Sequence, residues 1–186
     1  MKRLRRRALW ALPVGLVLVV GYVFFRHHHS RYRIPQNGMY PDLPAGTAFW
    51  VTRSPYRSIA EVRRGDVIVF RRARDGVDYD YVWRVIGLPG ERVAIREDAV
   101  VIDNHPLPRT PLRDEDGNHI FEETAGTHSY RIALPPRILP GSEFPEVTVP
   151  PGHVFVLGDN RHQASDSRTM GPIAFESILA RAGLGD

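Results

Sequence analysis

Apolar residues fall into two patterns along this chain. Ala8 to Phe25, ALWALPVGLVLVVGYVFF, is an uncharged and predominantly apolar run of 18 residues. A helix rises about 1.5 Å per residue, so this run would span roughly 27 Å, close to the hydrocarbon thickness of a bilayer. Pro13 and Gly15 are costly in a soluble helix but tolerated in a membrane helix, and Trp10 and Tyr22 stand near its two ends, where interfacial aromatics belong. A buried soluble helix is the plainer alternative, but the run lies at the N-terminus between basic clusters. A cleavable signal peptide competes as well. The run is longer than a usual signal core, and Phe24-Phe25-Arg26-His27-His28-His29 offers no small-x-small cleavage site, so an uncleaved signal anchor is expected.

From Ser30 onward the pattern changes to short β-branched and aromatic runs. Ala48–Thr52, Asp66–Phe70, Tyr79–Ile86, Arg92–Arg96 and His153–Leu157 read as strands. Pro44-Ala45-Gly46, Arg64-Gly65-Asp66, Pro89-Gly90 and Gly158-Asp159-Asn160 supply turns between them. The expected class is mainly β, a barrel or folded sheet. Residues 103–152 hold nine of the 16 prolines and have weak periodicity, which predicts an irregular insert or subdomain. Ala174–Ala180 reads as one short helix.

Charge sharpens this organisation. The chain carries +4 with a pI near 9.7, a balance that suggests nucleic acid until the charge is located. Lys2, Arg3, Arg5, Arg6 and Arg7 supply +5, and residues 8–186 hold 20 arginines against 21 acidic residues. Basicity belongs to the tail 1–7, so a phosphate-binding surface on the body is not indicated and no nucleic-acid partner is expected. Five basic residues before the span against Arg26, Arg31 and Arg33 after it favour a cytoplasmic N-terminus and an extracytoplasmic body from residue 30 to 186. There is no cysteine, which excludes disulfides and thiolate chemistry. The His27–His29 tract reads as a polar collar beside the membrane rather than a metal site; no ligand-spaced histidine motif occurs, and neither metal nor cofactor is expected.

Four segments in order carry a resemblance. They are Ile34-Pro35-Gln36-Asn37-Gly38-Met39-Tyr40-Pro41-Asp42-Leu43, then Arg64-Gly65-Asp66-Val67-Ile68-Val69-Phe70, then Tyr81-Val82-Trp83-Arg84-Val85-Ile86-Gly87-Leu88-Pro89-Gly90-Glu91. The last is Gly158-Asp159-Asn160-Arg161 with Ser165-Asp166-Ser167-Arg168 and Gly171. Behind an N-terminal anchor, this set resembles the bacterial signal peptidase I family, membrane-bound Ser/Lys endopeptidases that process signal peptides. The corresponding boxes normally read Ile-Pro-Ser-x-Ser-Met-x-Pro-Thr-Leu, Arg-Gly-Asp, Lys-Arg-Val-x-Gly-x-Pro-Gly-Asp and Gly-Asp-Asn-Arg-x-x-Ser-x-Asp-Ser-Arg.

The resemblance implies a serine nucleophile, a neutral lysine base, a hydroxyl that orients the lysine and a donor for the oxyanion. Carried over box by box, the nucleophile position is Gly38, the base position Trp83, the oxyanion-donor position Gln36 and the lysine-orienting position Ala164. None of the four has the working side chain. Lys2 is the sole lysine of the chain, so no shift of register supplies a Ser–Lys dyad to the body, and arginine stays protonated at any relevant pH. Arg84, Asp159, Arg161, Asp166 and Arg168 are expected to form a structural network, and Met39, Pro41 and Leu43 an apolar edge against the membrane or groove.

The leading expectation is a membrane-anchored, catalytically degenerate member that binds an exported or membrane-anchored polypeptide in extended form beside a strand. One alternative is an active peptidase with a displaced pair, for which Ser165 with His162 is the nearest candidate among the body's histidines (His105, His119, His128, His153 and His162). Another is a structural subunit of a secretion or surface-assembly complex.

Overall fold

The runs that read as strands are strands, extended at their ends by residues with no strong preference of their own. The computed structural model describes residues 15, 17–23, 25, 26, 28–137, 139 and 142–183. Fourteen strands follow in order: β1 (His29–Arg33), β2 (Ala48–Arg53), β3 (Val67–Arg74), β4 (Val77–Gly87), β5 (Arg92–Arg96), β6 (Ala99–Ile102) and β7 (His105–Pro106), then β8 (Arg109–Glu115), β9 (Asn118–Ala125), β10 (His128–Leu134), β11 (Phe144–Thr148), β12 (His153–Leu157), β13 (Ile173–Ala174) and β14 (Ile178–Ala182). They form a seven-stranded sheet ordered β1-β2-β14-β3-β4-β12-β13, a three-stranded sheet β10-β9-β8 and a four-stranded sheet β11-β5-β6-β7. Neighbours pair antiparallel. The mainly β expectation therefore holds.

Asp75-Gly76 joins β3 to β4 with φ of 53° and 76°, and Asp116-Gly117 joins β8 to β9 with φ of 50° and 74°. Two consecutive left-handed residues give the tight hairpin turn whose twist matches the flanking strands. The β3–β4 ladder runs unbroken from Val67↔Arg84 to Arg74↔Val77. Its inner half is buried, apart from the half-buried Tyr81 and Val82, and its outer half is exposed, so the hairpin projects from the body. One apolar cluster, including Phe49, Val51, Ile68, Phe70, Trp83 and Val156, fills the large sheet. A second, including Ile86, Val93, Ile132, Phe155 and Leu157, joins it to the two smaller sheets.

Two expectations require correction. The proline-rich stretch 103–152 is not irregular: it carries β7 to β11, with β8, β9 and β10 forming a sheet of their own. Ala174–Ala180 is not a helix. It passes from β13 through a 3₁₀ turn at Phe175–Ser177 into β14, because that strand completes the large sheet between β2 and β3. Among the described residues of the body the α-helix is the single turn Ser167–Met170.

The tail 1–7 lies outside the described residues, as do residues 8–14, 16 and 24 of the expected span 8–25. Residues 17–23, 25 and 26 are helical and exposed. Among the described residues no helix is long and apolar enough to cross a membrane.

Candidate functional site

Residues 34–43 make a tight loop after β1. Ile34 and Gly46 close it through Ile34 N–H to Thr47 O at 3.0 Å and Gly46 N–H to Ile34 O at 2.7 Å. The Asn37 side chain accepts from Ala45 N–H at 3.0 Å. The loop is tied to the segment after β12 by Asn160, whose backbone N–H donates to Gly38 O at 3.0 Å and whose side-chain amide donates to Asn37 O at 3.2 Å. Met39 and Leu43 form a bridge that turns both side chains inward, where they are buried in the core with only Pro41 half-exposed. They pack inside the body rather than offering an apolar edge, which corrects that expectation.

Gly38 lies against Trp83. Trp83 stands on β4 opposite Ile68 and is 1 % exposed. A Cβ built on Gly38 would overlap Cη2 of the Trp83 ring and lie 2.5 Å from Cζ3. Gly38 lacks a positive φ, so the obstacle to a side chain there is space alone. Gly158, on the far side, would place a Cβ 3.1 Å from the same Cζ3 and into the methyl of Ala164. The structure thus brings Gly38, Trp83 and Ala164 into one packed cluster. Gln36 stays exposed on the rim of the cleft between this loop and β4, which Asp80 and Val82 also line. That cleft encloses about 30 Å³. It holds a water or two, not an extended chain. The indole N–H of Trp83 is buried and has no acceptor among the described residues.

Behind the cluster lie the charges. Arg84 grips Asp159 with two bonds of 2.8 and 2.7 Å and donates to Gly65 O at 2.9 Å. Burial opposes its charge, but the paired Asp159 carboxylate holds the guanidinium above its ordinary range. Arg161 does not join this pair. It forks onto Glu123 of β9, a carboxylate that is fully buried. Tyr130 donates to the same carboxylate at 2.7 Å, and its ring lies 3.9 Å beneath the Arg84 guanidinium carbon. Burial, reinforced by Glu123, pushes the Tyr130 phenol well above its ordinary range. Asp166 accepts from Gly158 N–H at 3.0 Å, caps Ser167–Met170 through Arg168 N–H at 3.1 Å and pairs with the Arg168 side chain at 2.8 Å. Arg168 also donates to Arg161 O. The five expected residues therefore fall into three groups: Glu123 and Tyr130, which sequence reasoning missed, join the first two, and the Arg168 bond to Arg161 O joins the third. A signal for them existed: the hairpin folded about Gly126 sets Glu123 directly opposite Tyr130.

Ser165 and His162 are not brought into contact. The Ser165 hydroxyl meets Thr169 Oγ1 at 3.3 Å, and His162 Nε2 meets Asp98 Oδ1 at 2.7 Å. Asp98 was also unforeseen. Of the other histidines, His119 pairs with Asp114 and His153 bonds Pro151 O. No group of three or more metal-ligating side chains occurs among the described residues.

A family model described as signal peptidase, peptidase S26, matches residues 5–184. The chain belongs to the signal peptidase S26 family. It is 32% identical over 185 residues to the signal peptidase I of Bacillus caldolyticus, covering 95% of this chain and 87% of that one. Against the signal peptidase I of Rickettsia prowazekii it is 34% identical over 135 residues, 66% of this chain and 51% of that protein. The chain spans about half the length of that longer relative. Signal peptidase IB of Staphylococcus aureus is 27% identical over 176 residues, 92% of this chain and 85% of the relative. A crystal structure of a signal peptidase I from Enterococcus faecalis aligns with 65% of this chain and 96% of its own, at 29% identity and a TM-score of 0.41.

Proposed function

We propose that this signal peptidase I homologue is anchored in the cytoplasmic membrane by residues 8–25, has lost the Ser/Lys endopeptidase reaction, and acts by binding exported or membrane-anchored polypeptides. Its N-terminus lies in the cytoplasm and its β body outside. The observation that carries the reading is the contact of Gly38 with Trp83. A nucleophile needs a side chain at the first position and a titratable amine at the second. Here an indole fills the space for both. With Lys2 the sole lysine, the family's base has no substitute in the body.

What remains is a place for an extended chain. β4 pairs with β3 from Val77 to Arg84, but its other edge meets β12 only from Arg84 to Gly87. Residues 77–83 therefore keep one edge without a strand partner among the described residues, beside the loop 34–39. A polypeptide laid along that edge gains main-chain hydrogen bonds by β-augmentation without entering the filled cleft.

Full-length protein in detergent or nanodiscs, incubated with a signal-peptide-bearing precursor, is expected to yield no cleavage. A photo-crosslinker at the exposed position Gln36 is expected to capture the precursor intact. Turnover abolished by a Ser or His substitution would overturn the loss of chemistry. Absence of crosslinks at position 36, with a partner captured elsewhere, would favour a purely structural subunit.

A further inference from the structure

The sheet edges of this body come in two kinds. β7, β8 and β11, edge strands of the two smaller sheets, carry Pro106, Pro111 and Pro145, and β8 and β11 also break register. Prolines and bulges blunt an edge against further strands. The free edge of β4 has neither. From Val77 to Val82 it runs without proline or glycine, in unbroken register with β3.

Side chains alternate along this edge. Val77, Tyr79 and Tyr81 share one face with Arg74, Arg72 and Phe70, while Asp78, Asp80 and Val82 share the other with Ala73, Arg71 and Val69. Val77 and Tyr79 are large and open to solvent, at 51 % and 48 % exposure. Asp80 is held by Arg71 through bonds of 2.9 and 3.3 Å and accepts from the Tyr32 hydroxyl at 3.4 Å. Asp78 lies opposite Ala73, is exposed, and forms no hydrogen bond or ion pair among the described residues. Arg71 lies in the field of Asp78 as well as that of Asp80. Two carboxylates thus share one guanidinium, and one negative charge on this face is unmatched.

That charge decides what the edge can accept. A second copy pairing antiparallel about Tyr79 would set Asp78 opposite Asp80, and pairing about either aspartate would set it opposite itself. Like charges directly opposite one another are destabilising. The edge therefore rejects its own copies, while its main chain stays open to a strand of complementary charge.

From this pattern we infer that the polypeptide docked on β4 carries a lysine or arginine opposite Asp78, between two apolar residues that cover Val77 and Tyr79. The inference rests on the reading of the β4 edge as the docking place, and it supplies the sequence class that the edge selects: apolar, basic, apolar. The alternation follows from the pleat, since successive residues of the docked strand face opposite sides. An ion pair at so exposed a position is modest, so the selection amounts to a preference of about two- to fivefold and weakens with salt.

Full-length protein in phosphatidylcholine nanodiscs is panned against a displayed library of randomised peptides, with empty discs as the subtraction. Retained peptides are expected to be enriched in a basic residue flanked by apolar ones. Changing that basic residue to glutamine is expected to weaken binding about two- to fivefold by fluorescence anisotropy, with the difference lost at high salt. Asp78→Lys, at an exposed position outside the packed cluster around Trp83, is expected to reverse the order, so that a glutamate version binds best. Retained peptides with no charge preference, or a preference that Asp78→Lys leaves unchanged, overturn the inference and leave the docking edge in place. Retention of no peptide above empty discs overturns the docking edge as well. Dimers of the parent chain that a retained peptide dissolves would make a second copy the occupant, and that too overturns the inference.

Discussion

The six-membered ring of Trp83 stands where a side chain on residue 38 would have to be. The two positions lie far apart in sequence and on different elements, the loop after β1 and the buried half of β4. Residue 38 cannot carry a side chain unless the Trp83 ring shifts.

That interlock makes a stability measurement informative. Gly38→Ser alone is expected to cost about 1–3 kcal/mol in urea unfolding, the price of overpacking. In a Trp83→Ala background, itself destabilised by roughly 3–5 kcal/mol through the cavity it leaves, the same serine is expected to cost almost nothing. A double-mutant cycle with no coupling between positions 38 and 83 would refute the overlap.

The chemistry has its own test. Restoring Gln36→Ser, Gly38→Ser, Trp83→Lys and Ala164→Ser together is expected to produce measurable cleavage of a signal-peptide precursor. Any of the four alone is expected to produce none. Cleavage by Gly38→Ser alone would mean that another base serves the site.

Glu123 holds the buried charges of the small sheet. Removing it as Glu123→Ala leaves Arg161 buried and unpaired, with an expected loss of about 3–5 kcal/mol. Tyr130→Phe removes one hydrogen bond to the same carboxylate and is expected to cost about 1 kcal/mol. Denaturant melts separate these two values easily, and equal small effects would show that Arg161 finds another partner.

Alkali should unfold the body. The phenols of Tyr56 and Tyr130 are both pushed above the ordinary value of 10.0, Tyr56 by burial and by its 2.7 Å bond to Asp66, Tyr130 by burial and Glu123. A raised pKa means that the folded state holds the proton more tightly. The associated stability is complete below pH 10 and declines above it, where the unfolded chain has already lost its protons. Thermal melts from pH 8 to 11 are expected to fall, and Tyr56→Phe is expected to flatten the decline. A flat profile for the parent chain would contradict this.

β2, β3, β4 and β12 of the large sheet were legible because they are β-branched and aromatic runs between strong turn signals. The insert was misread for a specific reason. Pro106, Pro111 and Pro145 lie in β7, β8 and β11, each an edge strand of its sheet, and the ladders shift register beside Pro111 and Pro145. Proline is tolerated at edges and bulges, where its missing N–H loses no ladder bond. A proline count therefore tracks edges as readily as disorder. Ala174–Ala180 has a helix-compatible composition, but Ile178 and Ala180 take their pairing partners from residues more than a hundred positions away, and no local pattern reveals them. At the site, Gly38 and Trp83 could be named from the sequence; their close packing could not, because it depends on how the first loop is pressed against β4.

The position of β14 carries a consequence for how the chain is made. This last strand lies between β2 and β3, bonded to both. Until residues 178–182 have left the ribosome, and on the proposed topology the export channel, β2 and β3 cannot join, and each has an open edge. Open edges recruit other chains, and pairings so distant in sequence form slowly. Closure of the large sheet therefore waits on residues 178–182. A chain cut before residue 178 would emerge as an adhesive half-sheet, with β2 and β3 each open along one edge.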